Sequence, residues 1–137
     1  MMPARALGLT LLAAFAVGGC GTASTTSSNK FSGEAKSVAQ TVDDLSSASR
    51  KSDEKGICTQ LLARSLVQQL NSGPSTCLKA IGTQIDSADD ATLKVNAVKV
   101  TGANATAVVT SKFNGSDQKR TLRLVRENGR WRIAGLG

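Results

Sequence analysis

After Ala91 the spacing of apolar residues changes from helical to alternating, and that switch limits the folds open to the chain. Four stretches then read as strands: Thr92–Val100 (TLKVNAVKV), Ala103–Phe113 (ANATAVVTSKF), Gln118–Arg126 (QKRTLRLVR) and Arg130–Leu136 (RWRIAGL). The joints between them are short: Thr101-Gly102, the run Asn114 to Asp117, and Asn128-Gly129, the last suited to a tight hairpin. Connections of that length make neighbouring strands antiparallel. Leu122 and Leu124 alternate with Thr121, Arg123 and Val125, and Trp131 and Ile133 alternate with Arg130 and Arg132. One face of the sheet is predicted to be buried and the other basic.

Ahead of the switch the apolar spacing is helical. Ser32 is a plausible N-cap, and Ala35, Val38, Ala39, Val42 and Leu45 trace a narrow, small-residue face suited to packing on a sheet. This predicts an amphipathic helix of about four turns, with the polar run Ser46 to Ser52 as its frayed end. A second pattern starts at Asp53, carries Ile57, Leu61, Leu62, Leu66 and Leu70, and stops at Asn71-Ser72-Gly73-Pro74. Leu78, Ile81 and Ile85 mark a third, shorter helix, finished by the polar run Asp86 to Asp90. The predicted domain, residues 31–137, is α+β, with N-terminal helices packed on a four-stranded antiparallel sheet.

The first residues carry an address. Arg5, the apolar run LGLTLLAAFAV and the small residues after it have the layout of a secretory signal peptide. The run is too short to span a bilayer, which takes roughly 20 apolar residues. Val17-Gly18-Gly19-Cys20 resembles the bacterial lipobox, with Val17 and Gly18 as less common occupants. The resemblance implies a lipoprotein signal peptide over residues 1–19, a diacylglycerol on the Cys20 sulfur, and acylation, for example by palmitate, of the new amino terminus. The alternative is an ordinary signal cut a few residues later. Gly21 to Ser28 (GTASTTSS) is small and hydroxyl-rich, so residues 20–30 read as a lipidated cysteine and a flexible tether, with or without O-linked sugars. The expected location is the extracytoplasmic face of a bacterial cell membrane.

Cleavage before Cys20 would leave 118 residues, enough for one compact domain, with a net charge of +6. That bias favours anionic lipid headgroups or acidic wall polymers as partners. Export and an aromatic content of 3% argue against nucleic acid. The candidate contact residues are Lys112, Lys119, Arg120, Arg123, Arg126, Arg130 and Arg132; the blander reading is that outward charges keep a sheet soluble. With Cys20 assigned to lipid, Cys58 and Cys77 remain, an even number in an oxidising compartment, and a disulfide is expected over two separate buried thiols. A zinc site is disfavoured because the chain has no His. The disulfide conflicts with a straight helix, since residues 58 and 70 would stand roughly 18 Å apart along it. Either the helix breaks near Ala63-Arg64-Ser65 or residues 71–77 return alongside it in extended form; the break is preferred.

Helices first, then a meander ending in Leu124-Val125-Arg126-Glu127-Asn128-Gly129-Arg130-Trp131-Arg132-Ile133, resembles the nuclear-transport-factor-2-like (NTF2-like) superfamily, more narrowly its small actinobacterial lipoproteins. Gly102-Ala103-Asn104-Ala105-Thr106-Ala107-Val108 approximates a further strand pattern of that group. The order also fits cystatin-like and other helix-on-sheet folds. The resemblance implies a curved sheet closed by helices into a cone, shared with ketosteroid isomerases and polyketide cyclases. Enzymes of that group use an Asp base, or an Asp-His pair, with Tyr or acid donors at an oxyanion; this chain has neither His nor Tyr. No nucleophile elbow or phosphate-cradling glycine loop is present. Trp131 reads as a core plug rather than a ligand platform. The expectation is a membrane-anchored, non-catalytic domain, with no metal or cofactor, that binds a small apolar ligand or another envelope protein. The alternatives are an accessory subunit of an envelope complex and a small isomerase- or cyclase-like enzyme.

Overall fold

The computed structural model describes residues 26–136. A 3-10 turn, Ser28–Lys30, leads into α1, Gly33–Arg50. Next come α2, Glu54–Gly56, a π-helical turn, Ile57–Leu61, then α3, Arg64–Asn71, and α4, Cys77–Ser87. The strands β1, Leu93–Thr101, β2, Asn104–Phe113, β3, Ser116–Glu127, and β4, Arg130–Leu136, form one antiparallel sheet in the order β1-β2-β3-β4. No helix among the described residues is long and apolar enough to cross a membrane.

Each strand joint is a two-residue turn. Asn114-Gly115 and Asn128-Gly129 take positive φ at both residues, at 51° and 74° and at 50° and 76°, which matches the twist of the flanking strands. Bulges interrupt the ladder between Val95 and Ala97 in β1 and near Ala134 in β4, and bulges bend and twist the strands that hold them. The core lies between the sheet and the helices. Val38, Ala39 and Val42 of α1, with Ile57 and Leu62, meet Val95, Ala107, Val109, Leu124, Trp131 and Ile133 of the sheet.

Three expectations need correction. The serine run at the end of α1 does not fray, because the helix continues to Arg50. Ser46 is 4% exposed; its hydroxyl donates to the Ala91 carbonyl (2.8 Å) and accepts the Leu93 N–H (3.1 Å), so a polar residue there holds the helix to β1. Order also begins before Phe31. Ser27 and Ser28, assigned by composition to the tether, are 5% and 6% exposed, and their N–H groups donate to the Asp43 carboxylate at 3.1 and 2.9 Å. Polar bonds, rather than apolar burial, offset the cost of ordering them. Finally, Leu78, placed on the third helix's apolar face, is 50% exposed.

The helical half breaks as preferred, at Leu62-Ala63. Those residues leave helical geometry and run alongside β4 as a short parallel bridge to Ile133, whose carbonyl accepts the Ala63 N–H at 2.7 Å. The break lets α3 turn back, and Cys58 and Cys77 are disulfide-bonded with Cα atoms 6.2 Å apart.

Candidate functional site

A half-open cleft of about 420 Å³ lies where the π-helical turn and α3 meet the β3–β4 hairpin, lined by Thr59, Leu62, Arg64, Glu127, Asn128 and Arg132 among others. Glu127 and Arg132 are already engaged there. The Glu127 carboxylate accepts the Arg64 backbone N–H at 3.1 and 3.3 Å, neutralising the N-terminus of α3, and pairs with Arg132 Nε at 3.7 Å. Arg132 Nη1 donates to the Thr59 carbonyl at 3.1 Å. The cleft is therefore a polar seam that fastens helix to hairpin.

The interior is filled. Trp131 is 6% exposed; its indole N–H donates to Glu34 Oε2 at 2.8 Å, and the Arg126 guanidinium sits over the ring at 4.9 Å while pairing with the same oxygen at 2.8 Å. Beneath this plug Val38, Val42, Ile57 and Leu124 leave at most 2% of their surface exposed. Trp131 is a core residue with a satisfied polar edge.

Several carboxylates serve the backbone. Asp53 accepts the Gly56 N–H, Asp89 the Gly115 N–H and Asp90 the Thr92 N–H, at 2.9, 2.6 and 2.8 Å. One acid has a displaced pKa: desolvation by its surroundings, then the neighbouring Asp43 carboxylate, raises Asp44 above the usual 3.8. It stands on α1, outside the cleft lining. Among the described residues no group of three His, Cys, Asp or Glu side chains is placed to hold a metal ion.

The structure separates the seven basic residues marked in the sequence. Lys112, Lys119, Arg123 and Arg130 lie exposed on the sheet face turned away from the helices. Arg132 shares that parity but leans into the cleft. Arg126 and Arg120 have the opposite parity: Arg126 covers Trp131, and Arg120 reaches Gln118 (3.2 Å) where β3 extends past its pairing with β4. Two cations on the outer face were missed, Lys94 and Lys99 of β1. An even and an odd residue share a face only because the bulge between Val95 and Ala97 shifts the alternation by one. Cys20 and residues 21–25 of the tether lie outside the described residues.

The architecture is shared with solved structures. A designed protein of the Rd1NTF2 series aligns over 77% of this chain and all of its own length, with 17% identity and a TM-score of 0.54. The chain has an NTF2-like fold. A second designed protein, titled as the de novo NTF2 fold protein NT-9, aligns over 71% of this chain and 78% of its own, with 17% identity and a TM-score of 0.46. No protein-family profile matches the chain, and no curated protein does. At this identity the likeness carries the fold alone. NTF2-like folds serve binding proteins and isomerase-like enzymes alike, so function rests on the site residues.

Proposed function

We propose that this chain is an extracytoplasmic lipoprotein whose NTF2-like domain is held at the membrane through Cys20 and works there as a non-catalytic docking module. The packed interior carries the reading: Trp131, Leu124, Val38, Val42 and Ile57 fill the space that an enclosed ligand or active site between sheet and helices would need. Asp53, Asp89 and Asp90 are spent on backbone N–H groups and Glu127 on a backbone N–H and an ion pair, which supports a structural use for these four. The Cys58–Cys77 disulfide suits an oxidising compartment and a small domain, and the chain-entropy account gives a loop of this length about 3 kcal/mol. The lipobox-like Val17-Gly18-Gly19-Cys20 supplies the anchor. Two acyl chains, at roughly 0.8 kcal/mol per buried CH₂, are enough to hold such a domain without a spanning helix.

The test is detergent-phase partitioning of the protein from a lipoprotein-processing bacterium, with the mass of its amino-terminal peptide. Wild type is expected in the detergent phase, beginning at Cys20 with added acyl mass, and Cys20→Ala in the aqueous phase or retained as an uncut precursor. A mature terminus beyond Cys20 without acyl mass would remove the reading.

A further inference from the structure

The outer face of the sheet concentrates positive charge. Lys94, Lys99, Lys112, Lys119, Arg123 and Arg130 are exposed there, drawn from all four strands. Asp117, opposite Lys112, is the carboxylate set among them, while Glu127 is drawn to the α3 margin by the Arg64 N–H. The register lays the cations out in rows. Lys94 and Lys119 flank Thr110, and Lys99 and Arg123 flank Thr106. Neighbouring strands stand about 4.8 Å apart, so the flanking charges are roughly 10 Å apart, close to one screening length in physiological salt. The positions between them, Thr106, Val108 and Thr121, are uncharged and half-buried. An array of like charges spread over a sheet face repels itself and suits an extended anionic surface outside the molecule.

Ser27 says how that face can lie. It docks on the free edge of β1, where its hydroxyl accepts the Val95 N–H at 3.0 Å, one residue from Lys94. Seven residue steps separate it from Cys20, a reach of no more than about 25 Å even fully extended. An anchor that enters beside Lys94 on so short a tether keeps the cationic face within reach of the headgroups. We propose that the outer sheet face docks on anionic phospholipid headgroups of the membrane that carries the anchor. The proposal rests on the anchored-lipoprotein reading; a wall polymer would fit the charge but would need no short tether.

The test is amine acylation, read lysine by lysine, of native protein reconstituted in phosphatidylcholine vesicles with or without phosphatidylglycerol. Phosphatidylglycerol is expected to slow labelling of Lys94, Lys99, Lys112 and Lys119 by roughly five-fold or more, with protection lost at high salt. Lys36, Lys51, Lys55 and Lys79, exposed on α1, the α1–α2 joint, α2 and α4, should label equally in both. Equal labelling of all eight, with protein bound to both vesicles, would overturn face docking and leave the anchor standing. Protein that fails to bind neutral vesicles at all removes the anchor reading. The face proposal then survives only if the same four lysines are protected on anionic vesicles, and fails otherwise. Protection by soluble polyphosphate, with none from anionic vesicles, assigns the face to a polymer and overturns the lipid proposal.

Discussion

On one side of the sheet Ala107, Val109, Leu122, Leu124 and Ile133 are sealed beneath the helices; on the other, Thr106, Val108, Thr121 and Val125 lie half-buried among exposed lysines and arginines. The same strands supply both faces at alternate positions, so every second residue answers to a different demand. The helical face answers to packing, where polarity is admitted only with a partner, as for Trp131 with Glu34. The outer face answers to solvent or to whatever covers it, and reversing Lys94 and Lys99 there is expected to leave the core undisturbed. Fold and proposed function are thus written on opposite sides of one sheet.

Substitutions break that comparison in order of size. Leu124→Ala, at the centre of the sealed face, is expected to cost about 3 kcal/mol in denaturant unfolding, because buried surface is lost and a cavity remains; a cost under about 1 kcal/mol would mean the interior is looser than described. Ser27→Ala is smaller in effect. It strips the acceptor from the Val95 N–H at the β1 edge and is expected to cost roughly 1 kcal/mol. It should also speed hydrogen exchange at Val95; unchanged exchange there would show that the amino-terminal segment does not dock.

The sheet was the most legible part of the chain. Its four strands fall within two residues of their sequence limits, because period-two alternation and the Asn-Gly pair at 128–129 report local physics directly. The helix break was inferred from a conflict between the proposed disulfide and a straight helix, and the structure places it at Leu62-Ala63, one residue ahead of the expected site. What could not be read was polar docking between distant segments. Ser27 and Ser28 look like linker until Asp43, fifteen or more residues away, is seen to accept their N–H groups, and Ser46 looks like a frayed end until it meets Ala91 and Leu93. The outer face was half legible. Arg126 and Arg120 were misplaced because basic residues were gathered by proximity in sequence rather than by parity. Lys94 and Lys99 were missed because a bulge carries no residue signature.

The division between the two faces is tested most directly by sedimentation with phosphatidylglycerol vesicles of residues 20–137 carrying Cys20→Ala, with and without Lys94→Glu and Lys99→Glu. The account predicts salt-sensitive binding without the anchor, a loss of roughly ten-fold or more on the double reversal, and thermal unfolding within about 0.5 kcal/mol of the parent. Binding that survives the reversal, or a reversal that unfolds the domain, would contradict it.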